Sequence, residues 1–225
     1  MARILSGGGF VYRDLYRHME CTMLTLRRIG VFGGTFNPIH NGHLLIAEAA
    51  REEYGLEKVI FVPASHPPHK DNRGIAANQL RYDMVRLAIE DNPFFFVSDV
   101  ELVRAGPSYT VDTMRYFHER YPEDTEFYFI MGTDTLLDLP TWKYADELME
   151  LTHFLSALRP RYRTDLSILT ERFGSSAREN IHLLHTPEME ISATDLRRRF
   201  STGQSTRYLL PSAVQQYIQA NEIYQ

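Results

Sequence analysis

The sequence predicts an α/β protein built on one doubly wound parallel sheet with helices on both faces. Three observations lead there. From Arg28 onward, short apolar runs alternate with segments of helical periodicity. The runs are separated by helices, so neighbouring strands must pair in parallel. A glycine-bearing turn joins the first strand to the first helix, where open parallel sheets bind their ligands. Together these describe a single Rossmann-like domain over residues 28–225.

Ile29 to Phe32 reads as a buried strand, and Leu44 to Tyr54 carries apolar residues at helical spacing. Lys58 to Val62 is a second strand, followed by a polar loop rich in Pro and His. Gln79 to Asp91 reads as a helix burying Leu80, Met84, Leu87 and Ala88. Phe94 to Val97 is strand-like, Tyr109 to Tyr121 helical, and Glu126 to Met131 a strong strand. His153 to Leu158 and Ile181 to Leu184 are later strands. Two helices follow, Ala193 to Phe200 and Pro211 to Ile223, the second with Pro near its first turn. Residues 1–27 fit none of this. They hold a Gly7-Gly8-Gly9 run, no regular period and no secretory apolar stretch, and read as a leader outside the core. Deleting residues 1–22 is expected to leave activity and melting temperature unchanged. A fall of several degrees would show that the segment packs on the domain.

Bulk properties exclude several roles. A net charge of −5 argues against coating nucleic acid, which calls for a clustered basic excess. No apolar run approaches the ~20 residues that span a bilayer. The single Cys21 rules out an internal disulfide and a Cys-rich zinc site, and points to a reducing, cytoplasmic setting.

The chemistry concentrates in Gly33-Gly34-Thr35-Phe36-Asn37-Pro38-Ile39-His40-Asn41-Gly42-His43, between the first strand and the first helix. Gly33 and Gly34 would let a ligand approach the backbone. The helix start offers N–H groups and a positive dipole end to a phosphate. His40 and His43, three residues apart, can face one anion and donate to charge developing on a phosphoryl group. A tight turn with two internally satisfied histidines is the plainer account of the same residues.

With that stretch the chain resembles the bacterial nicotinate-nucleotide adenylyltransferases, within the nucleotidyltransferase superfamily that carries a His-x-Gly-His motif. The resemblance runs from about Arg28 to the C-terminus. Seven segments keep the family's order: GGTFNPIHNGH from Gly33, PPHK from Pro67, PSYTVDT from Pro107, MGTD from Met131, LPTW from Leu139, RP at Arg159 and ISATDLR from Ile191. It implies ATP and nicotinate mononucleotide as substrates and Mg²⁺ accompanying the ATP phosphates. It also implies catalytic roles for His40, His43 and Lys70.

Further sites follow from that likeness, each beside a plainer reading. Ser192 looks like a helix N-cap with Asp195 three residues on, a capping box. The family reading adds Ser192, Thr194 and Arg197 as ligands of the β- and γ-phosphates of ATP. Ala193 stands where relatives usually have Ser, and Arg198 and Arg199 read as a solvated basic face. Lys70 lies in a Pro-rich loop that composition alone makes an ordinary turn. The resemblance puts the lone Trp142 on the nicotinate ring, although a lone Trp is usually a packing residue. It assigns the carboxylate to the backbone N–H groups of Thr110, after Ser108 and Tyr109, and of Lys143. Gly33, Gly34, Thr35 and Phe36 line the ATP side, Asp134 holds a ribose and Arg159 flanks the adenine.

Other classes of function fit the residues less well. A zinc hydrolase using His40, His43, His66 and His69 lacks a His-Glu-x-x-His helix and a carboxylate ligand. A nucleotide-binding regulator has no need of His40, His43 and Lys70 together. Phosphopantetheine adenylyltransferases lack the PSYT and LPTW segments.

Overall fold

A computed structural model describes residues 27–65, 74–157, 166–186 and 189–225, with the side chains of residues 133 and 134 excepted. Residues 1–26 with Cys21, and His66, His69, Lys70 and Arg159, therefore lie outside the described residues, while Arg27, expected in the leader, opens the first strand by pairing with Thr125.

Six strands form one parallel sheet: β1 Arg27–Gly34, β2 Lys58–Pro63, β3 Phe95–Val97, β4 Thr125–Gly132, β5 His153–Ala157 and β6 Ile181–Leu184, in the order β3-β2-β1-β4-β5-β6. The order reverses beside β1, which lies between β2 and β4, so a crevice opens beyond their carboxyl ends. Strand side chains alternate between two cores. Phe32, Val59, Phe61, Tyr128, Ile130 and Leu155 point to one face, against α1 (Asn41–Tyr54) and α2 (Asn78–Ala88). Ile29, Val31, Ile60, Phe127, Phe129 and Phe154 point to the other. There they meet α3 (Val100–Val103), α4 (Thr110–His118), α5 (Thr133–Leu137), α6 (Ala145–Leu151), α7 (Ser167–Phe173) and α8 (Ser175–Asn180). The last helices, α9 (Ala193–Ser201) and α10 (Ser212–Ala220), return to the first face through Leu196, Val214 and Ile218.

The expected strands and long helices are present, with ends shifted by a few residues. The first helix starts three residues early, at Asn41, because His40 is its N-cap. The last starts at Ser212, so Pro211 caps it instead of entering its first turn. The short helices α3, α5, α6, α7 and α8 carry too few turns for a clear period. One expectation needs correcting. The buried face of α2 is Arg81, Met84, Val85 and Ala88, while Leu80 and Leu87 are only half-buried. The helix is turned so that an arginine, fully buried, can reach inward.

At the other end of the sheet, His153 and His182 on adjacent strands bring ring nitrogens within 3.4 Å, beside Tyr54 and Tyr128. Burial, then the neighbouring His153, holds the His182 pKa below its ordinary value. The unfolded chain therefore takes up this proton first as pH falls, so stability is present above about pH 6.5 and lost below it. Melting temperature is expected to fall between about pH 7.5 and about pH 5.5, and less steeply in His182→Gln. An identical fall in both proteins would show that His182 is not responsible.

Candidate active site

The loop after β1 is built from inside the molecule. Gly33 has no side chain because Phe129 occupies its place: a Cβ there would lie 2.6 Å from Phe129 Cζ. A Cβ on Gly34 would sit 3.0 Å from the Phe36 ring. The glycines thus make room for aromatic side chains of the protein itself, Phe129 on one face of the sheet and Phe36 on the other. Phe36 takes a left-handed backbone, φ 45°, and is buried. Its ring packs against Phe32, Phe61 and His43. Any part Phe36 plays toward ATP falls to its backbone.

Asn37 is the loop's hub, a role with no spacing signal in the sequence. Its side chain donates to the Gly74 carbonyl and accepts from the Ala76 N–H and the Tyr224 hydroxyl, at 3.0, 3.0 and 2.6 Å. Its carbonyl accepts from Arg197 at 2.9 Å. Arg81 holds the residue two before it, donating to the Thr35 carbonyl at 2.7 Å, to the Ala76 carbonyl at 2.9 Å and to Asn78 Oδ1 at 2.6 Å. Burial pulls the Arg81 guanidinium below its usual pKa, with Tyr224 and Glu101 opposing. Three acceptors keep the charge satisfied.

His40 and His43 come together as expected. Their rings stack with centroids 3.7 Å apart. The His40 backbone N–H donates to His43 Nδ1 at 3.2 Å, and the His43 N–H donates to the His40 carbonyl at 2.9 Å. Because Nδ1 accepts, the ring proton of His43 sits on Nε2, as a donor at the helix start. Gly42 makes room for this: a Cβ there would lie 3.1 Å from His40 Nδ1. The first N–H of α1 is not open to a phosphate, since Asn41 donates it to the Leu209 carbonyl at 3.0 Å, and its side chain to Tyr208 at 2.8 Å.

The α9 start meets the same loop. Ser192 caps it, accepting from the Asp195 N–H at 3.3 Å. The Asp195 carboxylate does not complete a capping box. Arg199 and Arg198 take it instead, and both hold it below the usual carboxylate pKa. Arg197 reaches Asn37 and also donates to Thr194 Oγ1 at 3.2 Å, so Ser192, Thr194 and Arg197 line the side that carries His40 and His43.

Across Phe129 lies a second cluster. Trp142, half-buried, stands perpendicular to Phe129 at 5.9 Å, at the end of the 3-10 turn Leu139–Thr141. The Lys143 ammonium lies 4.2 Å over the Tyr109 ring, and Tyr109 is the N-cap of α4 with no side-chain cap bond. Thr110, Trp142 and Lys143 are therefore neighbours, as the sequence implied. The backbone of Asp134 falls in α5, directly after β4. The arrangement offers helix starts on opposite sides of the β1–β4 crevice, α9 beside the paired histidines and α4 beside Lys143. Such a pair can hold two anionic ligands facing each other.

Residues 31–199 match the model of a family described as cytidylyltransferase-like. A probable nicotinate-nucleotide adenylyltransferase of Desulfitobacterium hafniense (strain Y51) is 46% identical over 200 residues, covering 88% of this chain and 96% of its own. Its counterpart in Thermoanaerobacter sp. (strain X514) is 45% identical over 202 residues, covering 88% and 94%. In fold, the chain is similar to Plasmodium falciparum nicotinic acid mononucleotide adenylyltransferase complexed with NaAD. The TM-score is 0.73 at 20% identity, covering 88% of this chain and 97% of that one.

Proposed function

This chain belongs to the cytidylyltransferase-like family, among its nicotinate-nucleotide adenylyltransferases, and on that premise we propose how its geometry performs the reaction. It joins the AMP part of ATP to nicotinate mononucleotide, giving nicotinate adenine dinucleotide and pyrophosphate, a step of NAD biosynthesis. A phosphate oxygen of the mononucleotide attacks the α-phosphorus of ATP. The bond from that phosphorus to the bridging oxygen breaks, and its electrons leave with pyrophosphate. No protein nucleophile is needed, so catalysis consists of alignment and charge stabilisation.

The observation that carries this reading is the pair of clusters flanking Phe129, one suited to each nucleotide. His43 directs Nε2–H toward the ATP phosphates, with His40, Ser192, Thr194 and Arg197 around them. Lys70, Asp134 and Arg159 complete the ATP side in this proposal. Trp142 stacks on the nicotinate ring, and the backbone N–H groups of Thr110 and Lys143 meet its carboxylate. An anionic ring is thereby favoured over a neutral amide, since both a helix start and an ammonium lie there. Mg²⁺ would accompany the ATP phosphates, with their oxygens and water as its ligands. There it would offset charge on the leaving pyrophosphate. No described helix is long and apolar enough to cross a membrane, and we place the enzyme in the cytoplasm.

A pyrophosphate-release assay with ATP and three acceptors tests the proposal. Nicotinate mononucleotide should be used far better than nicotinamide mononucleotide, and phosphopantetheine not at all. Release with phosphopantetheine alone would overturn it.

A further inference from the structure

An unbroken line of buried and part-buried polar contacts joins the two sides of the site, beneath the crevice. It begins at the Thr35 carbonyl, which accepts from Arg81, and Arg81 donates onward to Asn78 Oδ1. Asn78 Nδ2 donates to Ser65 Oγ at 2.7 Å, and the Ser65 N–H donates to Ser108 Oγ at 3.0 Å. Ser108 bonds in turn to the Glu101 carboxylate, which also accepts from the Thr113 hydroxyl at 2.6 Å. Arg104 closes the line, donating to Thr113 Oγ1 and to the Tyr109 carbonyl, both at 3.3 Å. Thr35 lies on the loop that carries His40 and His43, and Tyr109 caps the helix of Thr110.

The contacts are made by groups that pack poorly unless satisfied. Arg81 and Glu101 are both buried. Burial pushes the Glu101 carboxyl up, against the hydrogen bonds of Thr113 and Ser108 and the charges of Arg104 and Arg81. A low-dielectric interior stiffens such a line when each member is satisfied, and makes a broken link costly. Apolar residues would fill the same volume at less electrostatic cost, so a polar line calls for a directional role.

We infer that Arg81, Asn78, Ser65, Ser108 and Glu101 are positioning residues that fix the α1 loop relative to the α4 start, and so align the two bound nucleotides for transfer. The inference rests on the proposed two-substrate reaction. None of the five needs to touch substrate. Their contribution lies in the ternary complex, where a displacement of ~1 Å between reacting groups can cost about 10²-fold in rate.

Asn78 is the link to cut, because it is half-buried at the first turn of α2 and its loss leaves both charged groups in place. In Asn78→Leu, kcat for nicotinate adenine dinucleotide is expected to fall at least about tenfold. The dissociation constants of ATP alone and nicotinate mononucleotide alone, from calorimetric titration, should stay within about threefold. Asn78→Asp accepts from Arg81 and can accept a hydrogen bond from the Ser65 hydroxyl, so it should restore most of kcat. A general loosening of the fold predicts otherwise, with both dissociation constants and kcat failing together and no rescue by Asp. That pattern, or an unchanged kcat in Asn78→Leu, overturns the inference. If Asn78→Leu does not fold, Ser65→Ala cuts the neighbouring link and is read in the same way. A parent protein that makes no dinucleotide overturns the proposed function itself, whereas an active parent with an indifferent Asn78 overturns only this step.

Discussion

Replacing His43 with Ala is expected to lower turnover by roughly 10²–10³ while the protein still folds, because a preorganised donor at the reacting phosphate is removed. The structure sharpens the reason. His43 Nδ1 is committed to the His40 backbone N–H, so the opposite nitrogen holds the proton and its direction is set before substrate arrives. The variant also strands the His40 N–H, costing about 1 kcal/mol, which unfolds nothing but is visible in a melting curve. His40→Ala should be comparably damaging, since its ring lies stacked on that of His43. Turnover near that of the parent, measured on folded His43→Ala protein, would remove the histidine from the chemistry.

Trp142→Ala is expected to raise the KM for nicotinate mononucleotide about tenfold or more and to leave that for ATP nearly unmoved. Stacking of a base on an aromatic ring is typically worth ~1–3 kcal/mol, and only the acceptor ring would lose it. Position supports the distinction. Trp142 lies beyond Phe129 from Arg197 and the stacked histidines, and it is half-buried instead of enclosed. A tryptophan serving the core alone would cost ~3–5 kcal/mol on truncation and impair both substrates together. Equal loss for the two, with a large fall in melting temperature, would refute the stacking role.

The sheet was legible because apolar runs such as Phe127 to Met131 are long enough to identify, and the loop because Gly33 to His43 holds its functional residues consecutively. What lay hidden depends on distant partners. Arg81 sits in a helical pattern as an ordinary surface charge would, and only the position of the Thr35 carbonyl explains its inward turn. Asn37 reads as a turn residue, yet its four partners come from residues 74, 76, 197 and 224. Nothing beside Gly33 in the chain shows why a side chain is excluded there, since Phe129, which fills the space, comes from a distant strand. Asp195 has the spacing of a capping box, and two arginines on the next turn outbid the backbone for it.

The ties that Asn37 and Asn41 make to Arg197, Tyr208, Leu209 and Tyr224 also order events during synthesis. All six described strands are outside the ribosome once Leu184 leaves it, but none of those four residues is. At ~5–20 residues per second, Tyr224 follows over about two to eight seconds. During that interval a nascent protein can hold the whole sheet and still lack the carbonyls that close the start of α1. A stop codon between 184 and 197 would therefore leave a chain that has all six described strands and none of these ties to its catalytic loop. Such contacts, distant in sequence, are also the slowest to form. Competence would then arrive after the sheet in the life of each molecule.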